Sequence, residues 1–198
     1  MVQKISLRNS LLCLCAITVC ILFVLSAIRS ATHNDTPIAP IVSVVPAVSR
    51  AKPIGLIIPA INVDAIIEPI GLTPEGALGA PAGPYNAGWF SRGVTPGDKG
   101  VAIIDGHYGW KDHIPAIFNN LASVKKGDRI FIYSAKGDTT IFTVTKIASY
   151  GENASTSDIF VSHDTGAHLV IVTCAGVWSV AEKSYSERVV VSADLEVL

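Results

Sequence analysis

The chain has 198 residues, of which 49% are hydrophobic and only 16% charged, with a formal net charge of −1. An average soluble protein carries about 25% charged residues, so this composition excludes a plain cytosolic protein, and it equally excludes a collagen-like, low-complexity or polytopic membrane chain. No run of Lys and Arg exceeds the pair Lys125-Lys126, which removes the phosphate-neutralising patch expected of a nucleic-acid binder.

Much of the apolar excess lies between Arg8 and Arg29, where 20 consecutive residues carry no charge. As a helix they span roughly 30 Å, the thickness of a bilayer core. Lys4 and Arg8 precede the run, so residues 1–10 are expected in the cytoplasm and 11–29 as a transmembrane signal anchor. The run is longer than a signal-peptide core and no clean Ala-x-Ala site follows it, which favours retention over cleavage. Either way the remainder is exported. Cys13, Cys15 and Cys20 are expected to face lipid. From 30 to 53 the chain places Pro37, Pro40, Pro46 and Pro53 among Ala, Ser, Thr and Val, the composition of an extended extracellular spacer. Beyond Arg29 stand 12 basic and 16 acidic side chains, a mildly acidic exported part.

Residues 54–198 suffice for one domain with its own core. The apolar runs there are short, β-branched and bounded by turn residues. The pattern predicts strands over Ile54–Pro59, Val63–Ile70, Val101–Asp105, Arg129–Ser134, Thr139–Ile147, His168–Thr173 and Arg188–Val191. Ala135-Lys136-Gly137-Asp138 predicts a hairpin turn between two of them. Only Ile114–Val124 has helical character, with Pro115 in its first turn and Ile117, Phe118 and Leu121 on one face. The expected class is mostly β, a closed or nearly closed barrel with one or two short helices.

With three cysteines in the apolar segment, Cys174 is the single thiol of the exported domain. Structural cysteines outside the cytoplasm come in pairs, so a lone one suggests an intermolecular bridge or a reactive thiol, with a small buried apolar residue as the alternative. It follows the apolar run His168–Thr173, which puts the sulfur at a strand's exit. A thiol is only a few per cent ionised at neutral pH and needs a basic or cationic neighbour. Among the histidines, His107 ends the strand Val101–Asp105 behind Gly106, which permits a sharp turn. His113 and His163 read as surface residues, and His168 lies about 20 Å from Cys174 along its own strand. His107 is the expected base. Arg188 opens a strand that follows the Cys174 strand and, paired beside it, would bring a guanidinium to the thiol. Its alternative is an ordinary surface arginine.

These residues resemble a family. Ile57-Ile-Pro59-Ala-Ile-Asn-Val63, Gly88-Trp89-Phe90, Gly106-His107, Val172-Thr173-Cys174 and Arg188-Val-Val-Val191 occur in the order and spacing of the sortases, with an overall look closest to classes E and F. The resemblance implies an eight-stranded β-barrel and a membrane-anchored cysteine transpeptidase. Cys174 would be the nucleophile, His107 the general acid/base and Arg188 the group holding substrate and oxyanion. Thr173 would contact substrate or shape the site. The substrates would be proteins with C-terminal LPxTG-type sorting signals, and the acceptor an amine of a cell-wall precursor or a pilin lysine. No cofactor is implied and no metal-ligand spacing is found. Asp105, two residues before His107, departs from the small or hydroxyl residue common in relatives; it is expected either to favour protonated His107 or to be solvated. An extracellular cysteine peptidase and a non-catalytic membrane-tethered binding module are the competing functions.

Overall fold

Eight strands close into a barrel in the order β1-β2-β3-β4-β7-β8-β6-β5, with β5 returning to pair β1. The computed structural model describes residues 50–111 and 114–197, so the expected anchor, most of the spacer and His113 lie outside the described residues. The strands are β1 (Pro53–Ile58), β2 (Val63–Ile70), β3 (Ala87–Phe90), β4 (Gly100–Asp105), β5 (Arg129–Ser134), β6 (Thr139–Gly151), β7 (Ala167–Ser179) and β8 (Ser184–Leu195). All pairings are antiparallel except β2 with β3 and β4 with β7. Among the described residues no helix is long and apolar enough to cross a membrane.

The sequence pattern accounts for the inner face. Val63, Ala65, Ile67 and Ile70 of β2 are buried, with exposed Asp64 and Ile66 between them. Leu56 and Ile58, Ile130 and Ile132, Phe142 and Val144, Leu169 and Ile171, and Val189 and Val191 repeat that alternation around the barrel. Each such side chain contributes roughly 1.5–3 kcal/mol by leaving water. Gly137, at a positive φ of 88°, closes the expected β5–β6 hairpin, where the Ser134 N–H donates to the Asp138 carbonyl at 2.9 Å.

Four expectations need correction. Residues 114–124 form successive turns and a 3₁₀ turn at Leu121–Ser123, not a helix. Phe118 and Leu121 still plug the barrel, both fully buried, so the apolar spacing was a packing signal rather than a helical one. Among the described residues no α-helix occurs, and the short helices expected of the fold are 3₁₀ turns. Strand β3 was not expected, because four residues including Gly88 carry too little periodicity; the methyls of Ile70 fill the space that a Cβ at position 88 would take. Strands β6, β7 and β8 run far beyond their apolar stretches. Their largely exposed ends pair with one another as a ribbon, which supplies hydrogen bonds that no buried apolar face announces.

The outer face of β4, β7 and β8 is apolar as well. Val101, Val170 and Val190 are buried there beneath Tyr150 and Ile159, with Ile103 and Val172 beside them. Ile159 belongs to the segment 152–166 that joins β6 to β7. A cavity of about 470 Å³ opens at the His168 end of this strip.

Candidate active site

The ladders converge on one point of the rim. The parallel pairing of β4 with β7 ends at Asp105 opposite Val172, and the Gly106 N–H donates to the Val172 carbonyl at 3.3 Å. Two residues further along each chain stand His107 and Cys174. In the neighbouring antiparallel ladder Cys174 lies directly opposite Arg188. Sixty-six residues lie between His107 and Cys174 in the chain, and the parallel β4–β7 register carries both toward the same rim of the barrel. The structure thus brings together His107, Cys174 and Arg188.

Cys174 does not sit at the exit of its strand, as expected, but in its interior, since β7 continues to Ser179. Just past it the β7–β8 ladder shifts register between Ala175 and Trp178. Gly176 makes the bulge, with φ of 80°, and a Cβ there would strike Ser186 Oγ. Leu169, Ile171, Thr173 and Ala175 are buried and face the core, so Cys174, out of phase with them, stands on the outer face and is half-buried. Burial pushes its thiol above the ordinary range. The Arg188 guanidinium works against that, and the carboxylates of Asp105 and Glu152 add to it. At rest the sulfur is therefore protonated at neutral pH.

Thr173 shares the inner face, only 1% exposed, and its hydroxyl donates to the Gly106 carbonyl at 2.7 Å. It grips the peptide that precedes His107. Gly106 is needed for close approach rather than for a sharp turn: a Cβ there would strike the ring of Phe118. The Phe118 N–H donates to the His107 carbonyl at 3.0 Å, and the His107 ring packs edge-on against Trp110 with centroids 4.7 Å apart. Its Nε2 lies 2.9 Å from the Pro81 carbonyl. Neither Trp110 nor Pro81 was singled out in sequence, and a backbone acceptor leaves no residue signature there.

Arg188 is inside β8, not at its opening. Its Nη1 donates to the carbonyls of Tyr185 and Glu187 at 2.8 and 2.9 Å, its Nη2 donates to Ser184 Oγ at 3.0 Å, and Glu152 lies 3.8 Å away. The fork is held by its own strand, and among the described residues Nε–H has no hydrogen-bond partner. His163 is exposed, as expected. His168 is remote from the site and tied at 2.9 and 2.7 Å to Asp164 and Asp194, whose hydrogen bonds raise its pKa.

Asp105 is largely desolvated. Burial pushes its carboxyl up to about 7, against the lowering effects of the Gly106 N–H and Arg188. Unfolded chains release this proton near pH 4 and the folded chain near 7. The folded state therefore loses stability as pH rises between those values, and the deficit is constant above them. Water still reaches part of the side chain, which reduces the cost to about 2 kcal/mol. Asp105→Asn should melt about 4–8 °C above the wild type at pH 8 and close to it at pH 4. Equal melting at pH 8 in a thermal scan would contradict the burial of the carboxyl.

A thiol, an imidazole and a guanidinium on one outer surface, above an apolar strip, are components suited to acyl transfer from an extended peptide. Three comparisons bear on this arrangement. The Sortase domain family model matches residues 56–196. No curated protein matches the chain in sequence. Among solved structures, a lid mutant of sortase A from Corynebacterium diphtheriae superposes with a TM-score of 0.58 at 23% identity, covering 75% of this chain and 74% of that one. Sortase C1 from Streptococcus agalactiae, solved in complex with MTSET, gives 0.55 at 22% identity over 73% and 67%. Sortase C-1 from Actinomyces oris gives 0.56 at 19% identity over 73% of each. With a family match across most of the barrel and the same eight-stranded fold in its structural neighbours, the chain belongs to the sortase family.

Proposed function

We propose that this chain cleaves an LPxTG-type sorting signal between Thr and Gly and transfers the threonyl carbonyl to an amine. The observation that supports it most is the register placing Cys174 opposite Arg188 with His107 two residues beyond the last β4–β7 pair. Cys174 gives its proton to His107 and its sulfur attacks the threonyl carbonyl carbon. Arg188 donates to the carbonyl oxygen as charge develops. The C–N bond then breaks, His107 returns the proton to the departing glycyl nitrogen, and a thioester remains. An incoming amine attacks that thioester, His107 accepts its surplus proton, and the thiol is restored as the new amide forms. Thr173 acts through Gly106 as a positioning residue. The apolar strip of Ile103, Val172 and Val190 offers the leucyl and prolyl residues of the signal a dry surface.

The acceptor is an amine of a cell-wall precursor or a pilin lysine. The N-terminal segment 11–29 anchors the chain, with 30–53 as spacer and 54–198 as catalytic domain outside the cell. The test is incubation of the chain with a panel of sorting-signal peptides, with and without an amine. A mass adduct on Cys174 and an amide product are expected. Free acid alone despite added amine would make the chain a peptidase, and slow, unselective thiol labelling with no cleavage would make it a binding module.

Arg188 offers a sharper check. A surface arginine exchanges for lysine at a cost below about 0.5 kcal/mol. Here the planar fork bridges two carbonyls and a hydroxyl, which an ammonium does not reproduce. Arg188→Lys and Arg188→Ala should both fold and both lose at least about tenfold in peptide turnover, with lysine rescuing only partly. Near-wild-type cleavage by Arg188→Lys would return Arg188 to the role of a surface residue.

A further inference from the structure

Among the described residues the His107 ring hydrogen-bonds to one peptide unit, which a carboxylate grips from its other side. Pro81 is buried, and its carbonyl lies 2.9 Å from His107 Nε2. A carbonyl accepts and never donates, so Nε2 carries a hydrogen whether the ring is neutral or charged. Nδ1 is then the only nitrogen of His107 able to gain or lose a proton. The same peptide plane continues into the Ala82 N–H, which donates to Glu68 Oε1. The other oxygen, Oε2, accepts from Asn86 Nδ2 at 3.1 Å, so both carboxylate oxygens are engaged. Glu68 sits on β2, level with Gly88 in the parallel pairing of β2 with β3, and is therefore carried by the barrel rather than by the 71–86 segment it holds.

We propose that Glu68 is a positioning residue for His107, acting through the Pro81–Ala82 peptide. The carboxylate withdraws the Ala82 N–H, which polarises the linked carbonyl and makes it a stronger acceptor for Nε2–H. It also fixes where that carbonyl stands. The ring is thereby confined to the tautomer that leaves Nδ1 bare for proton exchange, the task that an aspartate bonded directly to the imidazole performs in other nucleophile–histidine pairs. Proline at 81 suits this use, since its locked φ limits the swing of the peptide. The role in turnover rests on the reading of His107 as acid/base; the tautomer does not.

The test labels the histidine ring nitrogens of the full chain with ¹⁵N and assigns His107 by comparison with His107→Gln. In the wild type His107 should show Nε2–H alone as its neutral form. Glu68→Ala should show a mixture of the two tautomers and lose about tenfold in kcat for a sorting-signal peptide, with KM little changed. Glu68→Gln, which keeps an oxygen for the Ala82 N–H without the charge, should fold like the wild type, keep the single tautomer and recover part of kcat. A single Nε2–H tautomer in Glu68→Ala, or wild-type kcat in both variants, would overturn the proposal. If Glu68→Ala does not fold, full wild-type kcat in Glu68→Gln overturns it and a several-fold loss supports it. Because the tautomer is read without substrate, a mixed tautomer beside an active His107→Ala would instead refute the acid/base role and leave the anchoring intact.

Discussion

Cys174→Ala should form no covalent adduct with a sorting-signal peptide and show no turnover above background, while melting within a few degrees of the wild type. The side chain is half-buried on the outer face of β7, so its removal opens no core cavity. Everything the sulfur does chemically is lost with it. Cys174→Ser should be nearly as inactive, because a hydroxyl stays protonated where a thiol ionises. Intact-mass measurement after peptide addition, beside a thermal melt, checks both. A peptide adduct on the alanine variant would remove Cys174 from the chemistry. The wild-type thiol should itself react slowly with alkylating reagents at neutral pH and faster as pH rises, since burial holds it above the ordinary range. In the proposed cycle it ionises by giving its proton to His107 as it attacks, not in advance.

His107→Ala should lower turnover by about 10²–10⁴, or roughly 3–5 kcal/mol of transition-state stabilisation, the usual scale for a positioned acid/base. The departing glycyl nitrogen is a poor leaving group unless it is protonated. Among the described residues no other imidazole is placed to substitute: His168 is fixed between Asp164 and Asp194 at the other end of β7, and His163 is exposed. His163→Ala and His168→Ala should each keep most activity, as should His113→Ala. Single-turnover peptide cleavage with melts alongside distinguishes these outcomes. A loss in His113→Ala as large as in His107→Ala would mean that the wrong histidine has been identified.

The sequence by itself determined the class of fold and which side chains are candidates for the chemistry. A period of two in Val63–Ile70 and Arg129–Ser134 predicts strands at those bounds, because one face of each must leave water. A cysteine alone in the barrel sequence, one histidine behind a strand and one late arginine stand out as candidates without a structure. Their meeting was not legible, nor was the extent of the strands that carry them. Beyond Cys174 and before Arg188 the chain is mixed and largely exposed, with Gly176, Val177 and Trp178 all open to solvent, and its strand residues are held by the pairing of β7 with β8 there.

The tertiary structure alone decided what each side chain faces. Thr173 and Cys174 are adjacent, yet the register turns one hydroxyl into the core and leaves one thiol outside. In sequence Asp105 reads either as a carboxylate that favours protonated His107 or as a solvated one, and only the fold desolvates it, beside the Gly106 N–H and Arg188. Glu68 and His107 stand far apart in the chain and are joined through a peptide group whose atoms are the same in every sequence. Desolvation and backbone hydrogen bonds are set by neighbours remote along the chain, and no local pattern of residues encodes them.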